Sequence, residues 1–279
     1  MAESISERIS NIIDQLPERE RRAAQSLVAD YPLAGLKTVA EYASRAAVSS
    51  PTILRFVSRL GFQNYAEFQS ALQTEVVEQL QSPLIRAERK PFTNGGNGAE
   101  PYVEALIENV RETFRHLSFS DFDKLAAHIT GAKQVHLIGG RFTEPVARYM
   151  AAHLGIIRSH VNPVVGQEAN WRDHLVDMGR KDTLIVFDLR RYEDSLLELS
   201  TKAAGKGASI ILFTDQWLSP IARVAKHVVT ARTAVPSAWD SSAALFALVE
   251  ALTARMTARL GNDASLRMAE LERLRTESS

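Results

Sequence analysis

Hydroxyl and guanidinium side chains between residues 50 and 59 are spaced on one helical face in a way that suits contact with duplex DNA. Ser50 and Thr52 come first, and Arg55 and Arg59 follow at helical spacing. At the start of a recognition helix, short polar side chains contact base edges, whereas cations further along contact phosphates. The pattern therefore predicts a DNA-contacting helix. The predicted DNA-contacting residues are Lys37, Arg45, Ser49, Ser50, Pro51, Thr52, Arg55 and Arg59.

Two short helices joined by a tight turn are needed to position these side chains. Thr38 is a suitable N-cap for the first helix, and Ser49 or Ser50 for the second. Pro51 fits the first turn of the second helix, and Gly61 ends that helix as a left-handed residue. This is the pattern of a helix-turn-helix, although it also occurs in proteins that do not bind DNA. The predicted buried stripe of the second helix is Ile53, Leu54, Val57 and Leu60.

The charge of the N-terminal region gives mixed support for DNA binding. Residues 1–80 contain slightly more acidic than basic side chains, whereas DNA-binding domains are typically basic. Between Lys37 and Arg59, however, four cations accompany a single anion, Glu41. We expect this patch to suffice for specific binding, with weak non-specific affinity.

Composition and periodicity divide the chain into three parts. Residues 1–80 predict an all-helical domain, with further helices over 5–15, 17–30 and 64–78. Residues 81–100 contain prolines and an Asn/Gly-rich centre, which predicts a flexible linker. The third part, residues 101–279, begins with a predicted helix over 101–116.

Short apolar runs alternate with helical patterns in the third part. Continuous apolar strands separated by helices predict an α/β fold with a parallel, doubly wound sheet. The predicted strands are 135–138, 183–187, 209–213 and 227–229, with an edge strand at 160–163. A helix over 240–260 completes the domain. Its apolar stripe is predicted to form a subunit contact through Leu245, Leu248, Leu252 and Met256.

The composition excludes several kinds of site. The chain has 279 residues, no cysteine and a formal net charge of +0 at pH 7. Without cysteine there is no disulfide, no thiolate nucleophile and no Cys-ligated metal. The polar N-terminus lacks the apolar core of a signal peptide, and no apolar run approaches the length of a membrane span. We therefore expect a soluble cytoplasmic protein without a membrane partner.

The two halves together resemble the RpiR family of bacterial transcriptional regulators, in which a helix-turn-helix domain precedes a SIS (sugar isomerase) domain. The resemblance covers nearly the full chain. It implies a regulator that binds operator DNA as a dimer or higher oligomer and responds to a ligand, often a sugar phosphate. The segments that resemble the family are Val39-Ala40-Glu41, Arg55-Phe56, Leu60-Gly61-Phe62, Tyr65, Phe68, Leu137-Ile138-Gly139-Gly140-Arg141, Gly207-Ala208-Ser209-Ile210, Leu212-Phe213-Thr214-Asp215 and Ser219-Pro220-Ile221-Ala222.

One loop departs from the family pattern. SIS domains that bind sugar phosphates usually have a Ser/Thr-rich loop after the strand that corresponds to 183–187, where hydroxyls and backbone amides hold phosphate at a helix N-terminus. Here that loop is Phe187-Asp188-Leu189-Arg190-Arg191-Tyr192-Glu193-Asp194. Guanidinium groups bind carboxylates as well as phosphates. Arg190 or Arg191, together with Arg141, therefore predicts a site for a small anionic effector, either a sugar phosphate or a carboxylate.

The predicted effector-binding residues are Gly140, Arg141, Thr143, Asp188, Arg190, Arg191, Tyr192 and Thr214. The alternative is that the arginines pair internally with nearby acids. The acids considered for such pairs are Asp188, Glu193, Asp194 and Glu168.

The residue spacing gives little support for a metal site, a dinucleotide-binding site or a catalytic site. The seven histidines lack metal-ligand spacing, and Gly139-Gly140 lacks the third glycine of a dinucleotide fingerprint. Glu168 with His174 could move a proton between carbons, but a role in lining the crevice or an interface is the simpler interpretation. We predict no metal, no cofactor and no catalytic residue. Trp217 and Trp239 are predicted in loops, where they either pack or contact a ligand.

The sequence thus predicts a DNA-binding transcriptional regulator whose SIS-like domain binds a small anionic metabolite. Its predicted partners are a palindromic double-stranded operator, the effector and further copies of the chain, as a homodimer or homotetramer. One alternative is an enzyme resembling a sugar-phosphate isomerase. The other is a degenerate SIS domain that serves only for dimerisation.

Overall fold

The computed structural model describes residues 3–89 and 99–277, in which a helical N-terminal domain precedes an α/β domain. Capping boxes start two of the N-terminal helices, one from Ser4 with Glu7 and one from Thr38 with Glu41. A 3₁₀ turn at Ile13–Gln15 extends the first helix. The N-terminal helices are α1 (Ile5–Ile12), α2 (Glu18–Ala29), α3 (Leu33–Leu36), α4 (Val39–Arg45), α5 (Ser50–Arg59) and α6 (Tyr65–Leu80).

Helices α4 and α5 form the predicted helix-turn-helix. The turn between them contains Ala47 at φ 51°, and Gly61 follows α5 at φ +92°, the left-handed conformation expected there. The predicted buried stripe of α5 is wrong at one position. Leu54 is 47% exposed, whereas Phe56 is fully buried. The buried positions 53, 56, 57 and 60 follow helical spacing, and Leu54 lies about 100° away from Ile53 around the helix.

A further helix, α7 (Pro83–Arg89), lies in the range predicted as a linker. The Ser82 hydroxyl accepts a hydrogen bond from the backbone N–H of Ile85, and Pro83 is tolerated at the first position. These local signals, followed by good helix formers, account for the helix. The Asn/Gly-rich centre of the predicted linker, residues 94–98, lies outside the described residues.

The α/β domain contains a five-stranded parallel sheet of order β2-β1-β3-β4-β5, as the alternating pattern predicted. Its strands are β1 (Val135–Gly139), β2 (Val161–Pro163), β3 (Thr183–Phe187), β4 (Ser209–Asp215) and β5 (His227–Ala231). Its helices are α8 (Glu100–Arg115), α9 (Phe119–Gly131), α10 (Glu144–Ile157), α11 (Glu168–Trp171), α12 (Asp194–Gly205), α13 (Ala243–Leu260) and α14 (Asn262–Thr276).

Both faces of the sheet are covered by apolar packing, which confirms the doubly wound class. Helices α9, α10 and α13 contribute to the core on one face, and α12 contributes to the core on the other. The prediction that the α13 stripe forms a subunit contact is wrong. Its four residues are at most 1% exposed within a single chain, because α13 packs against α9 and α10 in the helical layer. Within the described residues, no helix is long and apolar enough to cross a membrane.

The N-terminal domain packs directly on the α/β domain. Leu218, which follows β4, is 4% exposed and belongs to the apolar core of the helical domain. The Ser6 hydroxyl donates to the backbone oxygen of Gln216, and Arg223 forms an ion pair with Asp30 of the helical domain. The helical domain is therefore held against the sheet domain by apolar and charged contacts.

Candidate DNA-contact surface and anion cavity

The accessible face of α5 contains four of the eight predicted DNA-contacting residues. Pro51, Arg55 and Arg59 are exposed, and Ser50 is partly buried. Lys37, Arg45 and Ser49 are exposed beside them on neighbouring segments. Seven of the eight predicted residues therefore have side chains accessible to a duplex.

Thr52 is the exception, because it is fully buried rather than exposed. It lies four residues before Phe56 and so shares the buried face of the helix. Its hydroxyl lies 2.9 Å from the Ser49 hydroxyl and accepts a hydrogen bond from Nη2 of Arg55 at 3.2 Å. Thr52 thus positions Arg55 instead of presenting its own side chain to solvent.

Buried carboxylates hold the arginines of this face. Glu20 of α2 has a side chain that is 6% exposed, and its oxygens lie 2.5 Å from Nε of Arg59 and 3.7 Å from Nε of Arg55. Asp30 lies 2.9 Å from Nη1 of Arg45 and also pairs with Arg223 of the α/β domain. Three cations that face solvent are thereby oriented by the protein itself.

Leu54 is an apolar residue at the centre of the exposed face of α5, between Pro51 and Ser58. The sequence prediction placed it in the core, so this accessible side chain was missed. An exposed apolar side chain on a recognition helix can contact the C5 methyl group of thymine in the major groove.

A cavity of about 1070 Å³ opens at the carboxyl ends of β1 and β3. The sheet order reverses at this point, because β2 lies on one side of β1 and β3 on the other. Ligands of open α/β sheets bind outside the carboxyl ends of the strands at such a switch point. Its walls come from residues within the segments 81–86, 140–143, 188–191 and 238–242, together with Glu193.

Six of the eight predicted effector-binding residues line this cavity, namely Gly140, Arg141, Thr143, Asp188, Arg190 and Arg191. The other two lie outside its wall. The Tyr192 hydroxyl donates to the buried carboxylate of Asp215 at 2.6 Å. Thr214 is fully buried, and its hydroxyl accepts the backbone N–H of Ser219 at 3.1 Å. The polar groups of both side chains form hydrogen bonds within the protein. These two residues therefore stabilise the loops around the cavity instead of facing a ligand.

Close backbone contacts hold the two loops of the cavity together. The Thr143 hydroxyl donates to the backbone oxygen of Phe187 at 2.6 Å, joining the loop after β1 to the end of β3. The backbone N–H of Arg141 donates to Glu193 at 2.7 Å. A Cβ at Gly139 would lie 2.5 Å from the Thr143 backbone, so only glycine allows this approach.

The arginines of the cavity differ in their partners. Arg190 lies 3.0 Å from Asp240, stacks 4.1 Å from the Trp217 ring centroid, and donates to the backbone oxygen of Glu78. The internal pairing considered from the sequence thus occurs at Arg190, but with an acid that was not among those considered. Arg141 and Arg191 are exposed and form no ion pair with another described residue.

Asp188 is a buried acid on the cavity wall. The pKa of its carboxyl is raised to about 7, mainly by burial and to a smaller extent by the nearby Asp215 and Glu193 carboxylates, against the opposing effect of hydrogen bonds from Ser219 and the Glu193 backbone. Near neutral pH the carboxyl is therefore partly protonated. A neutral Asp188 does not repel an anion bound in the cavity.

The lining residues that were not predicted from the sequence as part of this site include Arg86, Phe142, Trp239 and Asp240. Phe142 and Trp239 pack edge to face at 5.9 Å, and the Arg141 guanidinium lies 4.6 Å from the Phe142 ring centroid. Trp239 is 58% exposed. The position of Trp239 in a loop was the only signal in the sequence, and it did not indicate which cavity the ring would line.

The residues considered for proton transfer lie elsewhere. Glu168 lines a separate small cleft with Trp171 and Glu198, and the His174 ring lies 6.2 Å from that of His136. Neither side chain lines the large cavity. Among the described residues, no group of three or more His, Asp or Glu side chains is arranged to hold a metal ion.

Two family models match the chain. One, described as a helix-turn-helix domain of the rpiR family, matches residues 3–79, and one described as a SIS domain matches residues 128–255. A "Bifunctional protein glk" from Paraburkholderia xenovorans is 23% identical over 216 residues, covering 76% of this chain but only 33% of that protein. An "Uncharacterized HTH-type transcriptional regulator" from Haemophilus influenzae is 20% identical, covering 81% of this chain and 79% of that protein.

Solved structures share the fold. The sugar isomerase domain of an RpiR transcription factor from Sphaerobacter thermophilus has a TM-score of 0.61 at 23% identity, covering 64% of this chain and 99% of that one. The Vibrio vulnificus NanR protein, solved with ManNAc-6P, has a TM-score of 0.57 at 13% identity, covering 99% of both chains. With an rpiR-type helix-turn-helix domain followed by a SIS domain on a five-stranded parallel sheet, this chain belongs to the RpiR family of transcriptional regulators.

Proposed function

We propose that the protein is a sequence-specific DNA-binding regulator of transcription whose SIS domain binds a small anionic metabolite. The observation that carries this proposal is the pairing, in one chain, of a solvent-facing arginine surface on α5 with an arginine-lined cavity at the sheet switch point. Because the proposed target is DNA, we also propose that the protein is located in the cytoplasm.

Operator contact in this proposal uses the exposed residues of the helix-turn-helix. Ser50 and Pro51 approach base edges at the start of α5, with Arg55 one turn later. Thr52 holds the guanidinium of Arg55 from within the helix. Phosphate contacts fall to Lys37, Arg45 and Arg59, with Ser49 beside them.

The effector proposal rests on the charge of the cavity wall. Arg86, Arg141, Arg190 and Arg191 line it with Asp188, Glu193 and Asp240. Four guanidinium groups against three carboxyls give the wall a net positive charge, and partial protonation of Asp188 near neutral pH increases it. Guanidinium groups suit either a phosphate or a carboxylate. The name of the NanR structure includes a sugar phosphate, ManNAc-6P, which favours the phosphate class.

In a homodimer or homotetramer, two helix-turn-helix domains would face the two halves of a palindromic operator. Six apolar side chains on α6, α7 and α8 are 42–74% exposed. We propose that they form the subunit contact in place of the α13 stripe. These residues are Val77, Leu80, Leu84, Ile85, Val103 and Ile107.

The isomerase alternative predicts a proton-transfer pair in the cavity, and Glu168 and His174 do not line it. We therefore propose that the protein is not an enzyme. A SIS domain used only for dimerisation remains the alternative, and it predicts that no anion alters DNA binding.

The test is selection of bound sequences from a random duplex pool at moderate salt. Wild type is compared with Arg55→Ala and with Arg111→Ala, an exposed arginine of α8 that pairs with Glu108. Enrichment of an inverted repeat by wild type and Arg111→Ala, but not by Arg55→Ala, is expected. Equal enrichment by all three proteins, or none by wild type, would contradict the proposal.

A further inference from the structure

A single carboxylate on the cavity wall is shared by arginines from two parts of the chain. Asp240 Oδ1 lies 3.0 Å from Nη1 of Arg86, and Asp240 Oδ2 lies 3.0 Å from Nε of Arg190. Arg86 belongs to α7, which follows the helical domain, whereas Arg190 follows β3 of the SIS domain. Both arginine side chains are largely buried, with 12% and 10% exposed.

The charge of this cluster is not balanced. One carboxylate faces two guanidinium groups, so the three side chains together have a net charge of about +1 at neutral pH. Nε of Arg190 and Oδ1 of Asp240 are buried, and their 3.0 Å contacts within this cluster are ion pairs that lack hydrogen-bond geometry. Nε of Arg190 therefore keeps a hydrogen bond that an anion in the cavity can accept.

We propose that Arg86 is an effector-binding residue, supplied to the SIS-domain cavity by the helix between the domains, and that Asp240 occupies its guanidinium when no effector is bound. This inference rests on the proposed effector function of the same cavity. An anion placed between Arg86 and Arg190 competes with Asp240 for both groups, and bidentate contacts favour a phosphate or carboxylate in that position.

The proposed site is connected to the DNA-binding domain by residues that adjoin that domain along the chain. Helix α7 follows α6 after two residues, and Nη1 of Arg190 donates to the backbone oxygen of Glu78 near the end of α6 at 3.2 Å. An effector that engages both arginines therefore acts on the segment that leaves the helix-turn-helix domain. The two domain arrangements shift in population only as far as the effector binds them with different affinity.

The competing interpretation is that Arg86 and Asp240 form a purely structural pair. The two interpretations differ in the effect of Arg86→Gln. If Arg86 binds the effector and Asp240 competes with it, Arg86→Gln weakens anion binding and Asp240→Asn strengthens it. A purely structural pair predicts that Arg86→Gln changes affinity no more than a substitution outside the cavity wall.

The experiment is isothermal titration calorimetry of the full chain with inorganic phosphate and, separately, with citrate. Arg86→Gln is expected to weaken binding of the preferred anion at least about tenfold, since a charge-assisted hydrogen bond is lost. Arg86→Lys should bind with intermediate affinity, and Asp240→Asn should bind about tenfold more tightly than wild type. Arg148→Gln removes an equal charge from α10 outside the cavity wall and should change affinity less than about twofold. Unfolding temperatures of all variants establish that each is folded.

The results that would contradict the role of Arg86 differ from those that would contradict the proposed effector site. If Arg190→Gln abolishes binding while Arg86→Gln behaves like Arg148→Gln, the role of Arg86 is overturned and the proposed effector site stands. If Asp240→Asn leaves binding unchanged or weakens it, the competition by Asp240 is overturned. If wild type binds neither anion, both the effector site and this inference are overturned.

Discussion

Glu7 of the helical domain forms a buried ion pair with Arg232, which directly follows β5 of the SIS domain. The side chains are 3% and 8% exposed, and the Glu7 carboxylate also accepts the hydroxyl and backbone N–H of Ser4 at the start of α1. The carboxylate that caps the first helix therefore also fixes that helix to the sheet domain. Domain docking and helix initiation share one oxygen, Oε2 of Glu7, which accepts hydrogen bonds from Ser4 and from Nη2 of Arg232.

Glu7→Gln is expected to destabilise the protein strongly, because it leaves the Arg232 charge buried without its carboxylate. Removing one partner of a buried ion pair typically costs about 3–5 kcal/mol. Urea unfolding followed by circular dichroism measures this change. Lys124→Gln, which removes one partner of an exposed pair with Asp121, is the control and should cost less than about 1 kcal/mol. Equal losses for the two variants would contradict a special role for the Glu7–Arg232 pair.

Glu20 limits the positive charge that α5 offers to DNA, because its buried carboxylate pairs with both Arg55 and Arg59. Glu20→Gln is expected to raise the affinity for any duplex by roughly three- to tenfold at low salt, and to steepen the salt dependence. Fluorescence anisotropy with a random-sequence duplex at several salt concentrations measures both quantities.

The control for that measurement is Glu18→Gln on the same helix. Glu18 is exposed and pairs with Arg21 and Arg22 instead of the α5 arginines. A similar gain in DNA affinity for Glu18→Gln would mean that overall charge, and not release of Arg55 and Arg59, causes the effect.

Leu54 is expected to contribute to sequence specificity through thymine methyl groups. Replacing individual thymines of the selected operator by deoxyuridine removes one methyl group and should cost wild type about 0.8 kcal/mol, roughly fourfold in affinity, at the contacted position. Leu54→Ala should bind both operators with nearly equal affinity. Leu266→Ala, another exposed leucine far along the chain in α14, should retain the wild-type difference. Sensitivity to deoxyuridine that survives in Leu54→Ala would exclude this contact.

The parts of the fold that depend on residues close together in the sequence, such as strands and helix caps, were predicted correctly. Strand β3 occupies the predicted residues 183–187, and Thr38 caps α4 as its side chain suggested. The cavity could be anticipated because the carboxyl ends of β1 and β3 must meet at a switch point. Loops after those strands supplied Arg141 and Arg190 to it, as the strand order requires.

Features that depend on tertiary packing were not predictable from one sequence. Leucine and phenylalanine on adjacent helical faces are equally apolar, so periodicity alone did not decide between Leu54 and Phe56 for the core. The α13 stripe had the same ambiguity between an internal core and a subunit contact. Asp240 and Arg86 are separated by more than half the chain, and only the docking of α7 beside the cavity brings their charges together.

Asp188 is expected to make anion binding sensitive to pH. Its pKa of about 7 exceeds the ordinary value of 3.8, so the folded protein retains a proton that the unfolded chain has released between these values. The free energy of unfolding therefore falls as pH rises from about 4 through about 7, since the folded state binds more protons. Ionisation also adds a negative charge to a wall that must bind an anion.

Sulfate is a suitable probe for this effect because its own charge is constant over the range. We expect wild type to lose roughly tenfold in sulfate affinity between pH 6 and pH 8, the effect of one unit charge about 10–12 Å away at an effective dielectric of about 20. Asp188→Asn should bind sulfate with nearly constant affinity and should be more stable than wild type at pH 8, because it has no charge to bury. Calorimetric titrations and thermal unfolding at both pH values measure the two effects. If Asp188→Asn retains the full pH dependence, another group must titrate, and Asp215, which lies beside Asp188 and whose pKa is also raised by burial, is the next to substitute.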